Sequence, residues 1–477
     1  MFNPDSDHGF KKYLELREMF PVFIYRGFNL EKGPGSQRLS FCFEAGDYIF
    51  KPVWHLYFGG LGSSDVVSKE DQVLAFHLGL AEMISYWKAF CSPRILIGSY
   101  ELSDSQQMWW TKLFIKGLGE FFYTNGIPQP GSELLGFEYS DMAVKLPVPA
   151  TTSNSTGRET VLVPVGGGKD SAVGAEILLP GGYTSIPFVI NPRGATDDVI
   201  REAGFDNAKG IRLIREIDPL LLKLNERGFL NGHTPFSALL AFASFYAARQ
   251  VSAGHIALSN ESSANEPSIP GTGINHQYSK SLEFESDFRQ YVCEYLGGGS
   301  NYFSLLRPLN ELQIAAIFSG LKQYHRVFRS CNAGSKENAW CCRCPKCLFT
   351  YIILSPFLQA DELKSIFGSE LYTDMSLRPL LDQLCGIADS KPLECVGTTE
   401  EVNVALQTAV KQYLKNGYSL PPLLEYYHSS TVYSDYRANG IKDLLGQFDP
   451  GHCLLPEFEY LVRIKIRELV NDPKIFA

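Results

Sequence analysis

Between residues 160 and 180 the chain makes one abrupt change of character. The run Val161-Leu162-Val163-Pro164-Val165 is apolar and reads as a buried strand, Gly166-Gly167-Gly168 follows directly, and Ser171 to Leu179 has helical spacing. Successive glycines let a backbone approach a ligand without Cβ obstruction. The helix that opens near Asp170 offers free N–H groups and the positive end of its dipole to phosphate oxygens. Lys169 adds a point charge. A phosphate-binding turn between strand and helix is therefore expected on physical grounds.

Two common phosphate loops are excluded by residue. The Walker pattern needs Ser or Thr after Gly168-Lys169 and glycine at 163, where Asp170 and Val163 stand. The dinucleotide pattern fails because Ser171 occupies its third glycine site. What remains, Gly166-Gly167-Gly168-Lys169-Asp170-Ser171, resembles the S-G-G-x-D-S loop of the N-type ATP pyrophosphatases, with glycine for the first serine. Members of that superfamily split ATP between its α and β phosphates and place AMP on a carboxylate, amide or carbonyl oxygen. The resemblance implies that Gly166, Gly167, Gly168, Lys169, Asp170 and Ser171 hold the pyrophosphate. It also implies that Asn191, at the end of the next strand, borders the adenine. Mg²⁺ is then needed to neutralise the phosphates.

The surroundings of the loop fit an α/β fold. Ser185–Ile190 and His255–Ser259 read as further buried strands, and Thr234–Val251 as a long helix, which predicts a doubly wound parallel sheet over residues 156–360. Residues 1–150 read as a mixed α+β domain, a candidate for substrate recognition. Its expected strands lie at Val22–Tyr25, Leu39–Phe43 and Tyr48–Phe50, and its expected helices at Asp71–Phe90 and Ser105–Phe122. The polar stretch Pro147–Glu159 is the expected linker, and residues 361–477 read mostly as helices, such as Glu400–Asn416 and Glu457–Asn471. The apolar run Leu348–Leu354 is far shorter than the ~20 residues a spanning helix needs, so no membrane partner is expected. The N-terminus carries neither a basic region nor an apolar stretch, and a cytoplasmic protein is expected. A net charge of -9 speaks against a large nucleic-acid partner.

Five of the 11 cysteines fall between Cys331 and Cys347. The spacing Cys341-x-x-Cys344-x-x-Cys347, with Cys331 ten residues upstream, lets four thiolates converge on a structural Zn²⁺. Cys342 is left over. A rival reading makes Cys342 or Cys344 a thiol acid or base, and the plainest one makes all of them buried small hydrophobes.

Three polar segments fall where loops should follow the sheet: Asn231–Pro235, Asn260–Ser263 and Asn275–Ser281. They supply His233, Glu261, His276 and Lys280 as candidate proton carriers, although His233 could equally cap a helix. Taken with the glycine loop and Cys344-Pro345-Lys346-Cys347-Leu348-Phe349, the segment Asn275–Ser281 resembles the UDP-N-acetylmuramoyl-L-alanyl-L-glutamate epimerases of peptidoglycan synthesis. The likeness is strongest over residues 160–360. It implies a nucleotide-linked dipeptide as substrate, ATP with Mg²⁺, and inversion of the terminal L-Glu to D-Glu. Adenylation would serve the barrier rather than the equilibrium, because an α-proton beside a carboxylate anion is very weakly acidic. The nearest rivals are another adenylating enzyme of the superfamily, such as a 7-cyano-7-deazaguanine synthase or a tRNA-modifying enzyme, and a nucleotide sensor without catalysis.

Overall fold

Residues 6–62, 64–147, 149, 159–206, 209–266, 274–435 and 440–472 are described in the computed structural model, and one sheet of eleven strands runs through them. The strands in chain order are β1 (Val22–Gly33), β2 (Ser36–Ala45), β3 (Tyr48–Phe50), β4 (Val53–Tyr57), β5 (Arg94–Ile97), β6 (Tyr100–Glu101), β7 (Gly136–Tyr139), β8 (Val144–Lys145), β9 (Thr160–Pro164), β10 (Thr184–Ile190), β11 (Ile211–Glu216), β12 (His255–Leu258) and β13 (Asn301–Ser304). Their order across the large sheet is β13-β12-β9-β10-β11-β4-β2-β1-β5-β7, with β3 paired to β2; β6 and β8 form a separate pair.

The five strands from β13 to β11 are all parallel. Helices Lys169–Leu178 and Gly194–Glu202 connect β9 to β10 and β10 to β11. Phe236–Gln250 precedes β12, and Leu282–Tyr295 leads into β13. The chain winds outward from β9 in one direction through β10 and β11, then returns to wind outward in the other through β12 and β13. The order reverses between β9 and β12, which leaves a crevice beyond their carboxyl ends where ligands of such sheets bind. The N-terminal strands join this half through β11 and β4, which pair antiparallel from Arg212 opposite Tyr57 to Glu216 opposite Val53.

β9 shows why the sheet lies inside the molecule. Leu162 belongs to one hydrophobic core, while Val161 and Val163 belong to the other. Alternate side chains point to opposite faces, so a strand apolar at every position must be covered on both sides. One face is covered by Phe236–Gln250 and by N-terminal elements that include the buried helix Lys69–Trp87. The other is covered by Lys169–Leu178, by Pro345–Leu354 and by C-terminal helices that include Thr399–Lys415 and Pro456–Asn471. Segments 1–150, 156–360 and 361–477 therefore share these two cores. The linker expected at Pro147–Glu159 falls almost wholly outside the described residues.

The run Leu348–Leu354 is a buried part of helix Pro345–Leu354. Among the described residues, no helix is long and apolar enough to cross a membrane. One departure from the expected elements matters for the site. The helix expected over Ser105–Phe122 is two helices, Asp104–Gly117 and Gly119–Thr124, broken at Leu118 with φ -101° and ψ 13°. Gly117 explains the location: a Cβ there would lie 2.9 Å from Cβ of Pro235, so a loop from the parallel half presses onto the break.

Candidate active site

The glycine turn joins β9 to helix Lys169–Leu178 at the reversal point of the sheet. Gly166 is exposed, and its N–H donates to Oγ of Ser171 at 3.0 Å. Gly167 has φ +87°, and a Cβ on it would lie 2.8 Å from the backbone nitrogen of Thr196. Glycine is required there both by dihedral angle and by space. Gly168 is the N-cap residue, so no side chain caps the helix and its first N–H groups are left for a ligand.

Lys169 turns inward. Its ammonium is buried, donates to Glu311 and lies 2.5 Å from Oδ1 of Asp170. Burial opposes the charge, but Asp170 and Glu311 outweigh it and push the lysine pKa up. Asp170 is likewise held ionised, because Lys169 and Lys346 overcome its desolvation. Asn191 sits at the carboxyl end of β10 with φ +48°. Its side chain is engaged with the backbone of Arg215, accepting at 2.8 Å and donating at 3.2 Å, and its backbone N–H donates to the carbonyl of Leu213 at 2.8 Å.

The cysteine segment braces this turn. Arg329 N–H donates to the carbonyl of Gly167 at 2.9 Å, two residues before Cys331. Asn338 accepts from the N–H of Ala195 at 2.9 Å and so caps helix Gly194–Glu202, against which Gly167 packs. The ligand atoms of Cys331, Cys341, Cys344 and Cys347 all lie within 4.8 Å of one another. Cys331 Sγ accepts from the N–H of Gly334 at 3.1 Å and from that of Cys341 at 3.4 Å. Four soft donors in one cluster fit a single tetrahedral ion. Cys342 points elsewhere, donating to the carbonyl of Phe367 at 3.2 Å, and burial pushes its thiol pKa up.

Beyond the turn, the candidate proton carriers gather from separate loops. His233 Nδ1 lies 3.3 Å from Oε2 of Glu120, and its ring centroid lies 6.4 Å from that of His276. Burial lowers the pKa of His233 to about 4, helped by His276, Lys88 and Lys280. His276 is lowered to about 4 by burial and then by Lys280. Both imidazoles are thus neutral near pH 7, and their burial makes them weak bases. Glu120 behaves oppositely. Burial raises its pKa to about 7, with further contributions from Glu394 and Cys395. A carboxyl that keeps its proton this long can donate one.

Lys280 Nζ donates to Sγ of Cys395 at 3.1 Å. Burial disfavours its charge, but Cys395 and Glu261 reverse this and raise its pKa. Glu261 follows β12, is buried, and accepts from Oγ of Ser263 at 3.1 Å. Arg307, wholly buried, binds the carbonyl of Glu261 at 2.7 Å and also that of Lys280. One guanidinium thereby ties together the two loops that carry these residues.

The four proton carriers expected from the sequence, His233, Glu261, His276 and Lys280, are linked by these contacts and charges to the end of the glycine turn. Glu120, Arg307, Glu311, Glu394 and Cys395 were not singled out from the sequence. Glu120 left a faint signal, an acid beside Phe121-Phe122 in an apolar helical stretch. Arg26, Arg38 and Lys51 line a cavity of about 480 Å³ on the N-terminal strands. Arg26 pairs with Glu44 and Arg38 with Glu31, so both charges are already partly compensated.

A family model described as the MurL N-terminal domain matches residues 15–305, and one described as the MurL C-terminal domain matches residues 327–421. The chain is 36% identical over 407 residues to the UDP-N-acetyl-alpha-D-muramoyl-L-alanyl-L-glutamate epimerase of a Micromonospora species, covering 83% of this chain and 88% of that protein. The enzyme of the same name from Salinispora tropica is 36% identical over 335 residues, 69% of this chain and 71% of its own length. That of Xanthomonas oryzae pv. oryzae is 33% identical over 358 residues, 72% and 76%.

Proposed function

The chain belongs to the MurL family of UDP-N-acetyl-α-D-muramoyl-L-alanyl-L-glutamate epimerases, and from that membership we propose that it inverts the terminal L-Glu of UDP-N-acetylmuramoyl-L-Ala-L-Glu to D-Glu. The observation that carries this reading is 36% identity sustained over 88% of the Micromonospora enzyme. The protein is an isomerase of peptidoglycan precursor synthesis, working in the cytoplasm on a soluble nucleotide-linked dipeptide.

The finer reading is that ATP first adenylates the α-carboxylate, with AMP and pyrophosphate released. Support comes from the glycine turn at the reversal of the sheet, its uncapped helix and the close approach that only Gly167 permits. This half of the molecule is read as a pyrophosphatase-loop domain over residues 156–360. The N-terminal region, 1–150, is assigned to substrate recognition, and the helical region, 361–477, completes the fold. Mg²⁺ bound with ATP would screen the phosphates. Zn²⁺ would be held by Cys331, Cys341, Cys344 and Cys347, and would stiffen the brace behind the turn without taking part in chemistry.

Esterifying the α-carboxylate as a mixed anhydride lets the electron pair left by the α-proton spread onto a carbonyl oxygen. The protein must then supply a base on one side of the carbon and an acid on the other. Glu120, with its Oε2 3.3 Å from Nδ1 of His233, is the acid; its proton is retained up to about pH 7. His276 and Glu261 orient the reacting residue, and Lys280 supplies positive charge near the carboxyl group being activated.

The test is incubation with the L-Ala-L-Glu precursor, ATP and Mg²⁺, followed by chiral analysis of the hydrolysed glutamate and counting of AMP. Equal amounts of D-Glu formation and AMP release per early turnover are expected. AMP without D-Glu would overturn epimerisation and favour another adenylating enzyme. D-Glu without AMP would remove the adenylation step.

A further inference from the structure

The proposed acid leaves the opposite side of the α-carbon without a base, and the loop before helix Thr399–Lys415 supplies one. Cys395 lies in that loop, partly exposed. Its sulfur sits 3.1 Å from Nζ of Lys280, and its carbonyl accepts from Nζ of Lys346. The first contact aims an ammonium at the sulfur; the second fixes the backbone that carries it. Arg307, through the carbonyl of Lys280, holds the lysine's own backbone.

The neighbours define where the sulfur is. Lys280 also interacts electrostatically with Asp170, at the glycine turn, and with Glu261 at the end of β12. Cys395 itself contributes to the raised pKa of Glu120, which belongs to the far end of the Glu120–His233–His276 group. Cys395 thus interacts with Glu120, and through Lys280 is tied to Asp170 at the glycine turn and to Glu261. Cys395 and Glu120 come from elements about 270 residues apart that share neither helix nor loop.

We propose that Cys395 is the catalytic base of the epimerisation, its thiolate removing the α-proton of the activated glutamyl residue while Lys280 remains its counter-cation. The inference rests on the adenylation reading above. The balance is simple. The S⁻ lone pair takes H⁺ from Cα, forming S–H, and the C–H electron pair moves onto the adjoining acyl oxygen as an enolate. The enolate collapses to a carbanion-like carbon that takes H⁺ from Glu120 on the other side. Water then cleaves the anhydride to carboxylate and AMP. Cys395 and Glu120 regain their starting states by exchanging one proton with solvent, so no oxidant or reductant enters.

A thiolate suits this task. It is soft and weakly hydrated, so little solvation has to be stripped from it before it meets a carbon acid. Lys280 is a positioning residue here: it touches the sulfur, and the sulfur touches substrate.

The experiment uses the full chain with dipeptide precursor, ATP and Mg²⁺ in D₂O. AMP release and deuterium at the glutamyl α-carbon are followed separately. Wild-type protein is expected to release AMP and to deliver deuterated D-Glu. Cys395→Ser and Cys395→Ala are expected to go on releasing AMP while α-deuteration and D-Glu fall about 100-fold or more. Exchange at the wild-type rate in either variant would overturn the assignment while leaving adenylation intact. Loss of AMP release together with exchange, in a variant with an unchanged circular dichroism spectrum, would also overturn it, because a base for Cα is not needed to form the adenylate. Absence of AMP from the wild-type reaction would instead overturn the adenylation reading, and this inference with it. A second measurement needs no variant. Iodoacetamide should alkylate Cys395 in the free protein, and substrate with ATP should protect it; alkylation unaffected by substrate would count against a thiol at the reacting carbon.

Discussion

Glu120 has a titration that makes its proposed role measurable. Its carboxyl is pushed up to about 7, first by burial and then by Glu394 and Cys395. The acid form is therefore the main one below about pH 7, and the proton is lost above it. If Glu120 donates to the α-carbon, its deprotonation should set a limb on which kcat falls as pH rises through about 7. Glu120→Gln keeps the shape but removes the proton; kcat should drop roughly 10²- to 10⁴-fold and the alkaline limb should vanish. A pH–rate profile of both proteins checks this, and an unaltered limb in the variant would remove Glu120 from the chemistry. His233 and His276 were legible as residues because polar loops after a parallel sheet tend to carry function. Glu120 was not, because a lone acid on a helix is ordinarily a solvated one, and only its burial against His233 makes it otherwise.

At the level of elements, the cysteine segment and the glycine turn behave as one unit. The N–H of Arg329 on the carbonyl of Gly167 and the cap that Asn338 places on helix Gly194–Glu202 connect the four thiols to the proposed ATP turn. Metal should therefore matter to nucleotide binding at a distance. Cys347→Ser is expected to reduce bound zinc from about one ion per chain to near zero, to lower the melting temperature, and to weaken ATP binding. Elemental analysis, a thermal scan and nucleotide titration read the three effects, and zinc loss with unchanged ATP affinity would show that the brace is not transmitted. Most helices and strands were legible because their spacing is regular: Thr399–Lys415 and Pro456–Asn471 lie within a residue of the expected spans. β4, β11 and β13 were not singled out, since short apolar runs look alike whether helical or extended until a partner strand is known. The break at Leu118 was hidden for a similar reason. Its cause is Pro235, more than a hundred residues away.

The whole molecule carries a pH sensitivity separate from its chemistry. His77 is fully buried, its Nδ1 2.7 Å from the carbonyl of Val73 and its Nε2 2.9 Å from the hydroxyl of Tyr291. Burial lowers its pKa from the usual 6.5 to about 4. Above pH 6.5 neither folded nor unfolded chain protonates this group, and its contribution is fully present. Below that, the unfolded chain binds a proton the folded one refuses, so stability is lost as pH falls towards about 4. Between pH 7 and 5 the loss from this group is about 2 kcal/mol. Urea unfolding at both pH values should show that much less acid sensitivity in His77→Gln; equal sensitivity would contradict it. The sequence by itself determined the turn at Gly166–Gly168, the cysteine spacing and the parallel winding around them, because each depends on residues close together in the chain: a strand, a lack of Cβ, a two-residue gap between thiols. Only the tertiary structure decided that the N-terminal strands continue the same sheet through β4 and β11, that Lys169 turns inward to Glu311, and that Lys280 meets Cys395. Those are pairings between distant residues, set by how the two faces of one sheet are covered, and no local pattern encodes them.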